Sequence, residues 1–229
     1  MNRPGPRLVL AMARHRTGLA HAARKTLAEA VVAYDWKAAR ADHTTAWVSH
    51  ALCREAEGLI LPDLPAFLQG THQPRSNDER LALLGVCQFA NRTHAAARLC
   101  RDAFGADPAI AEDSRSGHRA PAAGYAAQVG CGRGADAAGV GAPERAHWRS
   151  QARGWLRAGL AAWGKTLDEA TPAARDAVRQ RLTQWRAEPD LAGLREPAEL
   201  EALPPDERKN CLAFWGEVRA ALLRAGGDK

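Results

Sequence analysis

Apolar and small residues along this chain recur every three to four positions, the period of a helix. Twice they do so in one particular spacing. Ala23, Leu27 and Ala30 form the first instance and Ala96, Cys100 and Ala103 the second, each setting small, larger, small on one helical face. A helix-breaking residue, Gly18 or Asn91, precedes each, and another apolar helical stretch lies before it. Small side chains let two helices approach closely and the larger one fills the gap between them. No segment shows the alternation of a half-buried strand. The pattern predicts an all-α chain built of antiparallel helix pairs.

Punctuation residues divide that pattern into about nine or ten helices. Gly18 is suited to end a first helix in the left-handed conformation, and a second follows over roughly 20–34. A third runs over roughly 42–60, up to Leu61-Pro62-Asp63-Leu64-Pro65. Residues 61–75 read as an irregular connection. Ser76 or Asn77 then caps a helix, with Glu79 placed in its first turn. Asn91 turns the chain into the next helix, over roughly 93–104. After a link, a helix ends at Val129 and a Gly-rich loop covers 130–141. Trp148, Ala152, Trp155, Leu156, Gly159 and Trp163 share one face of the following helix. Thr171-Pro172 opens another with a capping residue and a proline at its first position, and the last runs from Pro204-Pro205 to Gly226-Gly227. The expected organisation is repeat-like helices over 1–60, the connection 61–75, repeat-like pairs over 76–168, and a helical cap over 169–229. Stacked pairs of this kind make a tetratricopeptide-repeat-like α-solenoid, a class that holds other proteins and seldom carries chemistry.

Composition agrees with helix. The chain of 229 residues holds 50 alanines, the strongest helix former, and few aromatic residues. So many alanines also weaken any single alanine spacing as evidence, which is why its recurrence matters. The net charge of +6 sits in residues 1–40, where eight basic residues face only Glu29 and Asp35. A solvated helical face accounts for this most simply. The alternative is a basic helix pair that associates with an acidic partner or with nucleic acid. Five dispersed cysteines read as reduced, buried thiols and point to the cytoplasm. No run reaches the roughly 18 apolar residues that a membrane span needs, and Arg14 and Arg16 cut short the signal-like Leu8–Ala13.

Motifs that could carry chemistry are weak. Gly130-x-Gly132-x-Gly134 follows a helix, whereas a phosphate cradle follows a strand, so an inter-helix loop is the better reading. The eight histidines form no close pair at zinc spacing with a cysteine, and His43 with His50 would supply two ligands where a structural site wants four. Cys100 fills the larger slot between two alanines and has no base assigned to it. Trp148, Trp155 and Trp163 read as a core seam, leaving Trp36, in a turn, as the tryptophan expected to be exposed. No catalytic residue, cofactor or metal is expected.

From His118 onward a more specific likeness appears. His118-Arg119, Ala122-Ala123, Gly130-Cys131-Gly132, Asp136-Ala137-Ala138, Trp155-Leu156-Arg157-Ala158, Trp185, Pro189-Asp190-Leu191 and Leu203-Pro204 with Trp215 carry it. The chain resembles the carboxy-terminal tetratricopeptide-repeat region of planctomycete-type bacterial serine/threonine protein kinases. The likeness extends back to Leu10–Ala30 and Asn77–Pro108. It brings no kinase, because the sequence has no phosphate-cradling loop after a strand, no His-Arg-Asp catalytic loop and no Asp-Phe-Gly. The resemblance implies a non-catalytic scaffold, which is either an autonomous protein or a kinase tail detached from its catalytic domain. Against that family, Ala120-Pro121 and Gly124 are departures, and Gly154 and Gly159 replace acidic residues. Pro121 is therefore expected to start its helix, and the region 118–163 to be the least stable.

In such a scaffold the first helix of each pair lines the concave face. That rule assigns Leu8, Met12, His15 and Arg16, then Leu81, Gly85, Gln88 and Phe89, then Ala127 and Gln128, to a groove for an extended peptide or helix. His15 and Arg16 would favour a carboxylate. The competing expectation is that 61–75 or a neighbouring helix fills the groove.

Overall fold

The structure is a computed structural model that describes residues 4–34, 44–112, 118–169 and 171–226. Among these it is all-helical, with twelve α-helices, one 3-10 helix and no strand. Trp36 and His43 lie outside the described residues. The chain forms two compact units, Met1–Ser116 and Gly117–Lys229, so their boundary falls inside the 76–168 stretch that the pattern grouped together. None of the described helices is long and apolar enough to cross a membrane.

The first unit contains α1 (Gly5–Arg16), α2 (Ala20–Val32), α3 (Thr44–Ile60), α4 (Leu64–Leu68), α5 (Asn77–Phe89), α6 (Thr93–Ala106) and α7 (Pro108–Glu112). The connection 61–75 is thus not wholly irregular, since α4 occupies its middle. Gly18 (φ 81°) and Asn91 (φ 51°) stop α1 and α5 in the left-handed region. At the first, Gly18 N–H donates to His15 C=O and Leu19 N–H to Arg14 C=O; at the second, Asn91 donates to Gln88 and Arg92 to Cys87. Both ends are Schellman motifs, which satisfy carbonyls the helix leaves open. The small faces then do what their spacing predicts. Ala23, Leu27, Ala30, Ala96, Cys100 and Ala103 are all buried.

Helix α2 packs against α1, α3 and α5, and α5 also packs against α6. At Gly85 the approach of α5 to α2 is so close that a β-carbon would stand 2.8 Å from Val31 Cγ1. Ser76 caps α5 by accepting the Glu79 N–H at 3.2 Å, while Glu79 Oε2 accepts the Arg75 N–H at 2.8 Å. On α3, Glu57 is 1% exposed. It accepts a weak hydrogen bond from Cys53 Sγ at 3.5 Å and faces Arg54 at 3.6 Å. Burial pushes both the Glu57 carboxyl and the Cys53 thiol upward from their ordinary ranges.

The second unit contains α8 (Arg119–Gly130), α9 (Ala142–Glu169), α10 (Pro172–Ala187), the 3-10 helix Pro189–Leu194, α11 (Pro197–Glu201) and α12 (Pro205–Arg224). Helix α8 begins two residues before Pro121. Proline is tolerated there because first-turn N–H groups have no intrahelical partner to lose. Nor is this region loosely built: Ala122 through Ala127 are buried without a break, with α8 packed against α9 and the 3-10 helix. Two of the three glycines counted against stability, Gly124 and Gly159, make room for a neighbour, whereas Gly154 has none. A β-carbon on Gly124 would meet Asp190 at 3.2 Å, and one on Gly159 would meet the Trp185 ring at 3.2 Å.

Arginines on α9 organise this unit. Arg149 donates to Gly130 C=O and holds Glu207 of α12 through Nε at 2.6 Å and Nη2 at 2.9 Å. Arg153 Nη1 lies 3.6 Å from Cys211 Sγ, and Arg157 Nη2 lies 3.3 Å from Glu217 and packs over Phe214. Contacts at 149, 153 and 157 meet partners at 207, 211 and 217, so α9 and α12 run in the same direction. Trp148, Trp155 and Trp185 are buried, and Trp163 packs on Trp185 in a tilted arrangement with ring centroids 4.6 Å apart. Trp215 Nε1 donates to Leu194 C=O at 2.6 Å, fastening the 3-10 helix.

Candidate functional site

Helix α1 presents two faces of unlike character. Leu8, Ala11 and Met12 turn into the core. Pro6, Val9, Leu10 and Ala13, which share the opposite face at helical spacing, are exposed. Arg7 borders this apolar stripe on one side and Arg16 on the other, both exposed. Arg16 also reaches to 3.9 Å from Glu55 of α3. Arg14 is turned inward and donates to Thr26 Oγ1.

Helix α3 packs against α1 and carries a second exposed pair. Trp47 is 65% exposed and Val48 is exposed beside it. Trp47 does not pack into the core: the buried face of α3 includes Ala46, Ser49, Cys53, Ala56 and Glu57, and Trp47 lies outside that arc.

The residues assigned to a groove are placed unevenly. Met12 is 6% exposed and offers nothing at the surface. His15 is half-buried, with Nδ1 shielded and without a hydrogen-bond partner among the described residues. Leu81 and Gln88 are half-buried on α5 of the same unit. Phe89 ends α5, and its side chain lies outside the described residues. Gln128 sits half-buried on α8 in the other unit. Arg16 alone of the set is exposed.

The Gly-rich loop joins α8 to α9, as its context indicated. Arg145 of α9 bonds Val140 C=O at 2.9 Å and stacks its guanidinium against Gly132, where a β-carbon would fall 2.8 Å from Nη1. Arg133 pairs with Glu199 at 2.6 Å. These contacts hold the loop to its own unit. Cys100 is buried, with its thiol pushed up to about 12 by loss of solvent, far from the thiolate that nucleophilic chemistry requires.

One cluster of possible ligands was not apparent in the sequence. Asp63, His72 and Glu79 bring one ligand atom each to within 4.8 Å of one another. His72 Nε2 lies 2.8 Å from Glu79 Oε1, and Nδ1 lies 3.8 Å from Asp63 Oδ2. A cavity of about 180 Å³ beside them is lined by Arg24, Ile60, Arg75 and Ser76 together with both carboxylates. Histidine–cysteine spacing does not reveal it, because the cluster holds no cysteine and its members are spread over 63–79, gathered only when the connection brings Asp63 and His72 beside Glu79.

No protein-family model matches this chain, and neither a curated protein nor a solved structure does.

Proposed function

We propose that the chain is a non-catalytic, tetratricopeptide-repeat-like scaffold that binds another protein, comparable in role to the helical tails of the bacterial kinases that its sequence resembles. One observation carries this reading: the stripe Pro6–Val9–Leu10–Ala13 on α1 is open to solvent between Arg7 and Arg16. A helix that exposes an apolar stripe rimmed by cations is suited to a protein helix or extended peptide bearing carboxylates. Trp47 on the neighbouring α3 adds a large aromatic anchor of the kind that dominates interfaces. Five dispersed cysteines, four of them buried, support a reducing compartment, and so the cytoplasm. The reading requires neither a cofactor nor nucleic acid.

Affinity capture with the purified chain tests it, comparing wild type with Leu10→Asp and Trp47→Asp. Each substitution falls on an exposed site and should leave the circular-dichroism spectrum unchanged. A defined protein retained by wild type and lost by both variants is the expected result. Identical retention by all three, or retention of nothing, would overturn the proposal.

A further inference from the structure

We propose that Asp63, His72 and Glu79 form a binding site for a divalent transition-metal ion of the zinc type, independent of the exposed stripe on α1. An imidazole with two carboxylates is a mixed nitrogen–oxygen donor set, which suits zinc better than magnesium or calcium, whose sites are built from oxygen. Three protein ligands leave at least one position open, and the adjoining cavity of about 180 Å³ has room for it.

Asp63 leaves its usual local partner unused. It stands at the N-cap of α4, where an aspartate ordinarily accepts a backbone N–H, yet its side chain makes no capping bond. Its carboxylate turns instead toward His72 and stops 3.8 Å short, too far for a hydrogen bond. A proton on His72 would thus satisfy Glu79 alone. An ion with bonds of about 2.0–2.2 Å gathers all three groups, and Asp63, with its side chain 49% exposed, can swing the remaining distance. The other two ligands are already held. Glu79 is fixed through the Arg75 N–H and the Ser76 cap, and His72 is shielded, with its side chain 9% exposed.

A second observation comes from the cavity wall. Arg24 Nε is buried there without a hydrogen-bond partner among the described residues. Turned toward the cavity, that donor can hold a water or small anion that completes the metal's coordination. Bound metal then ties the connection 61–75 to the first turn of α5, acting as a structural clip.

The test uses the full chain, stripped with a chelator and titrated with Co²⁺ and then Zn²⁺. One equivalent of Co²⁺ should give weak visible bands of nitrogen–oxygen ligation without the strong near-ultraviolet thiolate band. Zn²⁺ should displace it and raise the melting temperature, and Mg²⁺ should do neither. His72→Ala should abolish the bands. Because His72 is shielded and its loss disturbs packing, Asp63→Asn is the companion variant, expected to keep the fold and weaken Zn²⁺ binding by about tenfold or more. Absence of the cobalt bands, a thiolate band in their place, or equal Zn²⁺ affinity for Asp63→Asn and wild type would each overturn the site.

Discussion

Arg149 and Glu207, 58 residues apart in the chain, meet side by side with two parallel hydrogen bonds of 2.6 and 2.9 Å. Both side chains are largely shielded, and the third arm of the guanidinium is taken by the Gly130 carbonyl. A paired charge so placed contributes little net stability, but removing one partner strands the other. Arg149→Ala should destabilise the chain by about 3 kcal/mol, measurable as a lower urea midpoint.

Glu207 also sets a pH signature. The hydrogen bonds from Arg149 hold its carboxyl below the usual range. A group with a depressed folded-state pKa gives stability that is present above its unfolded value and lost as pH falls through the folded one. Stability should decline as pH falls below about 4.5, and Glu207→Gln should flatten that decline.

Glu57 has the opposite sign. Burial raises its folded-state pKa, so the unfolded chain loses this proton first as pH rises, and stability falls on going up from about pH 4.5 toward neutrality. Glu57→Gln should remove that downward slope while keeping an acceptor for Cys53. Unfolding curves of the variant and wild type at several pH values decide it.

Two glycines on or beside α9 should respond in opposite directions. A β-carbon on Gly130 would collide with Arg149 Cγ and stand 3.0 Å from Arg149 N, a backbone atom that cannot move aside. Gly130→Ala should cost about 1–3 kcal/mol. Gly154 is exposed within α9, with nothing within 4 Å of an added β-carbon. Gly154→Ala should gain about 0.5–1 kcal/mol from helix propensity. Parallel melting curves would show the two shifts.

Hydrogen exchange should find the amides of Ala122–Val129 slower than those of α10, on which only Val178, Leu182 and Trp185 are buried. That order reverses the expectation drawn from Pro121 and Gly124, which weighed each residue as if its helix stood alone.

Local chemistry was legible in the sequence wherever a few consecutive residues decide the outcome. Gly18 and Asn91 stop helices because the left-handed turn needs such residues, and Ser76 and Thr171 cap because their side chains accept a nearby N–H. The all-helical class and the buried faces of Ala23 and Ala96 followed from periodicity. Features that depend on what arrives from elsewhere were hidden. Gly124 and Gly159 look weak until Asp190 and Trp185 fill the space beside them. Trp47 reads as core by type and lies outside the buried face by its position on α3. In the same way, Asp63, His72 and Glu79 are ordinary loop and first-turn residues until the chain doubles back.

The same-direction run of α9 and α12 has a bearing on biosynthesis. As the polypeptide is made, Arg149, Arg153 and Arg157 emerge well before the segment 205–224 that receives them. Until that segment exists, Arg149 lacks its Glu207 partner and Arg157 its Glu217 partner, so these cations stay in water and the face of α9 that meets α12 is completed only once residues 205–224 have been made.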